Sequence, residues 1–291
     1  MTSQASVKPP PFDYVAPSSL DEALGLRAEH AADSLVLAGG QSAMPLLNLR
    51  MALPATVIDL GRVAELAGIR EHDGGVAFGA MTRQREAERS PLVQSRLPLA
   101  TQALAHVGHA TIRNRGTIGG TIAHADPAAE LPAVALLLDG ELVARSTRGE
   151  RTIAAGDFFL GVMTTALEPD ELLVEVRLPG LSGRAGTAFL EVARRHGDFA
   201  IVAAGAAVAL AGDGAIADAR LAFTGVGATP VRAREAEALL RGEQPGDEVF
   251  AEAAERAARD LEPGSDAHAT SAYRRRIAAV LARRALREAT P

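Results

Sequence analysis

Two stretches of this sequence decide its fold: Ala38-Gly39-Gly40-Gln41-Ser42 and Thr117-Ile118-Gly119-Gly120-Thr121. Each lies beside an apolar stretch, and glycine allows a positive φ and a close approach to a ligand. Consecutive N–H groups in such turns form concavities that bind anions. A single Gly-Gly pair is most often only a turn. Two such segments, flanked by the hydroxyls of Ser42, Thr117 and Thr121, predict a diphosphate held from two sides, as in a dinucleotide such as FAD.

The composition excludes several classes of function. The chain has 291 residues, of which 47% are hydrophobic, and this is enough for one large core or several small ones. Its net charge is −6, so a nucleic-acid partner is not expected, and the arginines of residues 274–287 indicate a solvated or protein-contact face. The sequence has no cysteine, which excludes disulfides, thiolate-bound iron–sulfur clusters and a cysteine nucleophile.

Neither a targeting segment nor a membrane span is expected. Residues 1–14 are polar and proline-rich, unlike a secretory signal, and are predicted to form a tail. The longest apolar run, 200–210, is about half the length needed to cross a bilayer. The sequence therefore predicts a cytoplasmic protein.

The first 60 residues predict a small parallel βαβ unit. Ser19 and Glu22 have the spacing of a capping box and open a helix that reaches about His30. Apolar runs at 35–38 and 56–60 predict two strands on either side of the first glycine segment.

A second region is expected from residue 61 to 180. It begins with a hairpin whose Asp-Gly turn lies at 73–74, followed by a helix capped by Thr82 and another at 98–107. Residues 110–131 show no clean periodicity of apolar residues and are expected to be irregular. Long irregular segments inside a compact domain are often functional. A strand is predicted at 172–178.

The last region, 181–291, opens with a linker at 180–186. Strands are predicted at 187–193, 201–210 and 217–224, and a helical pattern begins at Val231. The fold class is therefore α+β, with a parallel βαβ unit, a mixed or antiparallel sheet, and a C-terminal three-stranded antiparallel sheet with helices. The three expected domains are 1–60, 61–180 and 181–291.

Few side chains are arranged for catalysis. His106 with His109, and His124 with Asp126, lack a third ligand, so no metal site is predicted. No nucleophile elbow or Walker A motif is present, and no catalytic residue is assigned. Residues 225–230 begin like a Rossmann fingerprint, but Pro230 replaces its third glycine and indicates a turn before a helix. Three roles remain open for Asp126 and Glu130. They could form an acid–base pair, one could cap a helix while the other is solvated, or a carboxylate could accept a hydrogen bond from a ribityl or ribose hydroxyl.

Several motifs resemble the FAD-binding medium subunit of molybdenum hydroxylases, which includes the medium chains of carbon monoxide dehydrogenase and bacterial xanthine dehydrogenase. The resemblance covers nearly the whole chain in the same order, and the segment around Gly119 is the most specific part. The motifs are Ala38-Gly39-Gly40-Gln41-Ser42 with Pro45-Leu46 and Leu49-Arg50, Ile112-Arg113-Asn114-Arg115-Gly116-Thr117-Ile118-Gly119-Gly120, Ala123-His124-Ala125-Asp126-Pro127-Ala128-Ala129-Glu130-Leu131-Pro132, Gly156-Asp157-Phe158-Phe159, the strand 171–179, and Arg194-Arg195-His196-Gly197-Asp198-Phe199-Ala200.

The resemblance implies two subdomains that cradle FAD and a C-terminal α+β domain. It places Glu130 near the ribityl chain, Leu173 near the flavin or adenine, and Val107 where some members have an aromatic residue. Leu190 stands where several members have a lysine near the flavin, which puts the electrostatics of the ring in doubt. The implied FAD-binding residues are Leu37, Ala38, Gly39, Gly40, Gln41, Ser42, Ala43, Val107, Thr117, Ile118, Gly119, Gly120, Thr121, Glu130 and Leu173.

The resemblance also implies a function in electron transfer. FAD would take electrons from the clusters of an iron–sulfur small subunit and pass them to NAD or a quinone, while substrate is oxidised on a molybdopterin large subunit. The expected contact surface with the other subunits includes residues 110–125 and the C-terminal helix around Tyr273. Two other classes stay open: a self-sufficient flavin oxidase, and a non-enzymatic nucleotide-binding scaffold protein.

Overall fold

The N-terminal part of the fold is a three-stranded parallel sheet. The structure is a computed structural model and describes residues 8–291, so the tail predicted for 1–14 lies partly outside the described residues. The strand order is β1-β3-β2, and the predicted βαβ unit is confirmed. Its elements are β1 (Asp13–Val15), α1 (Leu20–Glu29), β2 (Ser34–Leu37), α2 (Ala43–Asn48) and β3 (Thr56–Asp59).

The cap of α1 follows the sequence prediction in part. The Ser19 hydroxyl accepts from the N–H of Glu22, as predicted. The Glu22 carboxylate accepts from the N–H of Ser18 rather than from that of Ser19. The last two residues of the predicted tail, Asp13 and Tyr14, pair with β3 together with Val15 and extend the sheet.

The middle of the chain forms a five-stranded antiparallel sheet in the order β4-β5-β10-β6-β7. The predicted Asp-Gly turn joins β4 to β5, with Asp73 at φ 44° and Gly74 at φ 76°. The elements are β4 (Ile69–His72), β5 (Gly75–Gly79), α3 (Gln84–Arg89), α4 (Pro91–Arg96), α5 (Pro98–Leu104), α6 (Ala110–Arg113), α7 (Ile118–His124), α8 (Glu130–Leu137), β6 (Glu141–Ser146), β7 (Gly149–Ala154), α9 (Ala155–Phe158), β8 (Phe159–Gly161), β9 (Thr164–Thr165) and β10 (Leu172–Leu178).

Two local predictions for this region are wrong. Residues 110–131 are not irregular, because they contain α6, α7 and the start of α8. Two adjacent glycines have low helix propensity and hide the helical pattern of α7. Thr82 does not cap α3, which begins two residues later; its buried hydroxyl donates to the carbonyl of Gly68 and accepts from the N–H of Gly68.

The C-terminal part is an antiparallel sheet in the order β11-β12-β13-β14, covered by helices. The three predicted strands are confirmed, and a two-residue strand adds a fourth at the edge. The first strand begins at Arg184, inside the predicted linker, and the turn at 225–230 leads into β14 before the next helix. The elements are β11 (Arg184–Ala193), β12 (Ala200–Leu210), β13 (Ile216–Thr224), β14 (Val231–Arg232), α10 (Arg234–Leu240), α11 (Asp247–Arg259) and α12 (Ser271–Ala289).

The C-terminal sheet separates two cores. One face packs against α10, α11 and α12 and buries Val202, Leu221 and Phe223. The other face packs against α5 and α8 and buries Phe189 and Ala203 together with the core of the middle sheet. Because side chains alternate along a strand, successive residues of β11 face different cores. Within residues 8–291, the helices are too short or too polar to cross a bilayer.

Candidate functional site

A cavity of about 600 Å³ lies where the N-terminal sheet, the middle region and the C-terminal sheet meet. Its walls come from the end of β2, the first turns of α7 and α8, the segment 165–173 and the segment 197–199. The volume is within the usual range for small-molecule and cofactor sites. This cavity is therefore the place to test the predicted site residues.

The first glycine segment has the geometry of an anion cradle. Gly40 has a φ of +74°, which favours glycine over other residues. The backbone N–H groups of residues 40–43 have no hydrogen-bond partner among the described residues. The side chain of Gln41 closes the turn, since its Nε2 donates to the carbonyl of Gly39 at 3.1 Å. The prediction of free backbone donors is therefore confirmed for this segment.

The second glycine segment is the start of a helix and not a loop. Thr117 is the N-cap of α7, and its hydroxyl accepts from the N–H of Gly120 at 3.0 Å. The N–H of Ile118 donates to Thr82, and that of Gly119 donates to Ala80. The prediction of free backbone donors is wrong here, because capping and the neighbouring strand end satisfy these groups.

The glycines of α7 serve close packing rather than a positive φ. A Cβ atom on Gly119 would overlap the backbone of Ala80, and one on Gly120 would lie 3.2 Å from the Cβ of Ala38. The helix thus lies directly against the first glycine segment. Its Thr121 hydroxyl accepts from Nε2 of Gln84 at 2.7 Å, so the hydroxyl hydrogen is free to donate into the cavity.

Most of the predicted binding residues line the cavity, and two do not. Ile118 is buried in the core beneath α7, and Leu37 lies beneath Gly40, with its Cδ1 3.5 Å from the position of a Cβ there. Those in the wall are Ala38, Gly39, Gly40, Gln41, Ser42, Ala43, Val107, Thr117, Gly119, Gly120, Thr121, Glu130 and Leu173.

Leu190 is not in the cavity wall. It packs against the core formed with the C-terminal helices, on the face of β11 opposite Phe189. The effect on a bound flavin of having no lysine at this position stays a prediction, while the Leu190 side chain itself does not line the cavity. The next residue, Glu191, faces the side on which Phe189 and the cavity lie.

Glu130 is the first residue of α8 and is 4% exposed in the cavity wall. Burial raises the pKa of its carboxyl to about 7, the charge of Asp126 adds to this effect, and Arg113 opposes it. Asp126 closes the turn before α8, because its Oδ1 accepts from the N–H of Ala128 at 2.8 Å. The interpretation of one capping and one solvated carboxylate is thus wrong for Glu130.

Sequence reasoning missed several wall residues. Arg27 donates to the hydroxyl of Ser34 at 2.7 Å, and burial lowers the pKa of its guanidinium. Gln84 is buried and fixes Thr121, and nothing in the sequence signals either role. Phe199 lies in the wall although its side chain is 62% exposed. The motif at 194–200 contained it and could have been used to find it.

The residues of the cavity fit a dinucleotide. Residues 40–43 offer backbone donors to phosphate oxygens, and Glu130 and Thr121 offer hydrogen-bonding groups to hydroxyls. The remaining wall is largely apolar, as an aromatic ring system requires. Within residues 8–291, no three histidine, aspartate or glutamate side chains are placed to hold a metal ion.

Comparison with known proteins identifies the family. Residues 10–181 match the FAD binding domain in molybdopterin dehydrogenase, and residues 187–289 match the CO dehydrogenase flavoprotein C-terminal domain. The chain is 41% identical to the alpha subunit of the 6-hydroxypseudooxynicotine dehydrogenase complex of Paenarthrobacter nicotinovorans, over 97% of this chain and 96% of that protein. It is 38% identical to the carbon monoxide dehydrogenase medium chain of Hydrogenophaga pseudoflava, over 97% and 98% of the two chains.

Solved structures agree with this assignment. A carbon monoxide dehydrogenase from Hydrogenophaga pseudoflava superposes with a TM-score of 0.94 at 39% identity, covering 97% of this chain and 98% of that one. Quinoline 2-oxidoreductase from Pseudomonas putida 86 superposes with a TM-score of 0.93 at 37% identity, with the same coverage. The α+β fold matches these chains, and residues 10–181 form an FAD-binding domain. The chain belongs to the family of FAD-binding medium subunits of molybdenum hydroxylases, which are oxidoreductase subunits.

Proposed function

We propose that this chain is the flavoprotein subunit of a hetero-oligomeric molybdenum hydroxylase. It receives electrons from an iron–sulfur small subunit, while a molybdopterin large subunit oxidises the substrate, and it passes the electrons to NAD or a quinone. FAD supplies the chemistry that joins two-electron and one-electron carriers. The family assignment supports this role, and the absence of cysteine means that thiolate-bound clusters must belong to another subunit.

The observation that carries the proposal is the set of free backbone donors at the first glycine segment. We place the diphosphate of FAD against the N–H groups of residues 40–43, with Thr121 on the opposite side. Glu130 lies where it can bond a hydroxyl of the ribityl chain, and Val107 and Leu173 form apolar wall. The full proposed set keeps the thirteen wall residues named above, with Leu37 and Ile118 supporting them from beneath.

The domain division remains part of the proposal. Residues 1–60 and 61–180 supply the two sides of the cavity, and residues 181–291 close it with the segment 197–199. The proposed partner surface includes α6 and α7, where Ile112 is partly exposed beside the cavity. It also includes the start of α12, where Arg276 lies over the ring of Tyr273.

The test is spectroscopic and uses the full chain. With FAD bound, the purified chain should be bleached by dithionite but not by purines, carbon monoxide or aromatic acids. Co-expression with an iron–sulfur small subunit and a molybdopterin large subunit of the same family should restore bleaching by one such substrate. Bleaching of the isolated chain by substrate would instead indicate a self-sufficient flavin oxidase, and failure to bind flavin would indicate a scaffold protein.

A further inference from the structure

The cavity has two ends, one beside α1 and the other beside α8. Leu172 packs in the core that contains α1, whereas Leu173 packs in the core that contains α8. Neighbouring residues of a strand point to opposite faces, and both leucines line the cavity, so the cavity borders both cores. Arg27, in the last turn of α1, lines the α1 end, and Glu130, at the start of α8, lines the α8 end.

The anion cradle is separated from Arg27 by the length of β2. Arg27 donates to Ser34, the first residue of this strand, and the cradle at residues 40–43 follows its last residue, Leu37. A strand rises about 3.3 Å per residue, so Arg27 is anchored roughly 10 Å along the chain direction from the cradle. A diphosphate bound at the cradle would therefore leave room for a nucleoside between itself and the α1 end.

The Arg27 guanidinium is held in place through one nitrogen and leaves the other two without a partner. Its Nη1 donates to the Ser34 hydroxyl at 2.7 Å and to the Ser34 carbonyl oxygen at 3.3 Å. Within residues 8–291, the buried Nε has no hydrogen-bond partner, and Nη2 donates to none. Because unpaired donors away from water cost free energy, a ligand that supplies an acceptor here would gain affinity.

No carboxylate in the described part of the chain bonds to Arg27. Asp170 attracts its charge, but both Asp170 oxygens accept from Arg148. Both oxygens of Glu171, in the same wall, accept from Arg151. Burial lowers the pKa of the Arg27 guanidinium, as expected for a cation that is partly removed from water without a bonded anion. Such a cation in a cavity wall is a candidate for contact with a ligand.

We propose that Arg27 recognises the adenosine half of FAD and determines the preference of this site for the dinucleotide over flavin mononucleotide. With the ribityl chain at Glu130 and the diphosphate at residues 40–43, the adenosine occupies the α1 end. Its ring nitrogens and ribose oxygens accept the hydrogens of Nη2, whereas flavin mononucleotide ends at its phosphate and does not reach Arg27. Ser34 is a positioning residue that holds the guanidinium at the wall. This proposal rests on the proposed function, because it requires FAD in the cavity.

ADP and flavin mononucleotide carry the two halves of FAD and separate their contacts. Isothermal titration of the FAD-free chain would measure both affinities. Arg27→Met should weaken ADP binding roughly tenfold to a hundredfold, the effect of losing a hydrogen bond to a charged group, and leave the mononucleotide unaffected. The control Arg62→Met removes an exposed arginine outside the cavity wall and should change neither affinity. Equal losses for the two ligands, or no loss for ADP, would overturn the role of Arg27.

The ratio of FAD affinity to flavin mononucleotide affinity gives a second test. Quenching of flavin fluorescence measures this ratio within each variant, where both ligands meet the same folded fraction of the chain. The ratio should fall in Arg27→Met and fall less in Ser34→Ala, which keeps the guanidinium but removes its hydroxyl anchor. An unchanged ratio in Arg27→Met would overturn the inference. A chain that binds ADP through Arg27 but no flavin would overturn the proposed function and leave the adenosine contact standing.

Discussion

The backbone of Gly39 lies directly against the carbonyl of Arg115, so that a Cβ atom on Gly39 would overlap that oxygen. The two glycine segments therefore lie against each other, although the first follows a strand of the N-terminal sheet and the second begins a helix of the middle region. Arg83 reinforces the contact, because its Nη1 donates to the same carbonyl and its backbone bridges to Thr117. The shape of the anion cradle thus depends on how the N-terminal and middle regions pack.

Replacing Gly39 by alanine should separate the two segments. We expect a loss of roughly 1–3 kcal/mol in the free energy of unfolding, typical of overpacking, together with weaker FAD binding. Urea unfolding and flavin fluorescence would measure the two effects. Gly25→Ala is the matched control, because a Cβ atom there has no neighbour within 4 Å and the residue lies in α1. Equal behaviour of the two variants would contradict the close contact.

Substitutions of Gly40 should act through the backbone conformation rather than through steric overlap. A Cβ atom there would lie 3.3 Å from Cγ of Met44, but its φ of +74° is unfavourable for alanine by about 1–2 kcal/mol. We expect Gly40→Ala to weaken FAD binding about tenfold, and Gly40→Asn to be milder because asparagine tolerates this region. Isothermal titration with FAD would compare them. Weaker binding by the asparagine variant than by the alanine variant would show that bulk and not φ matters.

The sequence could predict the parts of the fold that have local signals. The strands around Gly40, the Asp-Gly turn at 73–74 and the three long C-terminal strands follow from apolar runs and turn chemistry. The identity of α7 could not be predicted, because its stability comes from packing against Ala80 and from the Thr117 cap, and not from its glycines.

Only those residues of the candidate site that belong to a sequence motif could be predicted. The glycine segments and Glu130 were found in this way, and all but two of the predicted residues line the cavity. Arg27 and Gln84 were missed, because only the tertiary fold brings them to the wall. The resemblance aligned Leu190 with a family lysine near the flavin, but it gives a position along the chain and not an orientation, and the Leu190 side chain packs against the C-terminal helices.

Gly119 should contribute to the stability of the fold and not only to the binding of the cofactor. Because a Cβ atom at this position would overlap the backbone of Ala80, Gly119→Ala should lower the free energy of unfolding by roughly 1–3 kcal/mol even without FAD. Thermal unfolding of the FAD-free protein would measure this. A variant with unchanged stability but lost flavin would show that the position serves the ligand alone.

The stability of the FAD-free chain should fall as the pH rises from about 5 to about 8. Burial raises the pKa of Glu130 to about 7 and that of Glu191 to about 8, so the folded chain holds protons that the unfolded chain has released in this window. Stability then decreases with pH, because the unfolded state binds fewer protons. Urea unfolding at pH 5.5 and 8 would show it. Glu130→Gln should flatten the dependence, and a wild-type stability that rises with pH over this range would contradict the raised pKa values.

Glu130→Ala should weaken FAD binding by roughly 1–3 kcal/mol at pH 6.5, the usual effect of losing a hydrogen bond that involves a charged or strongly polar group. Flavin fluorescence titration would give the dissociation constant. Glu168→Ala, another carboxylate that lines the cavity, is a control for general changes of charge. An unchanged constant in Glu130→Ala would remove Glu130 from the binding site.

Arg232 and Glu237 form an ion pair inside the C-terminal region, with 6% and 1% of their side chains exposed. Glu237 also accepts from the N–H of Leu221, and Arg232 donates to Asp139 in the turn after α8. The pair thus connects the sheet of β13 to the helix that carries Glu130. Arg232→Met should lower the free energy of unfolding by about 3–5 kcal/mol, because it leaves Glu237 buried without its cation.

The double variant Arg232→Met with Glu237→Leu should recover part of that loss, since no unpaired charge remains. Arg256→Met removes one side of a more exposed pair with Glu235 and should cost at most about 1 kcal/mol. Urea unfolding of the four proteins, wild type included, gives the comparison. If Arg232→Met cost no more than Arg256→Met, the buried pair would not hold α8 in place, and the position of Glu130 would depend on the Thr224 contacts and on the core packing of α8.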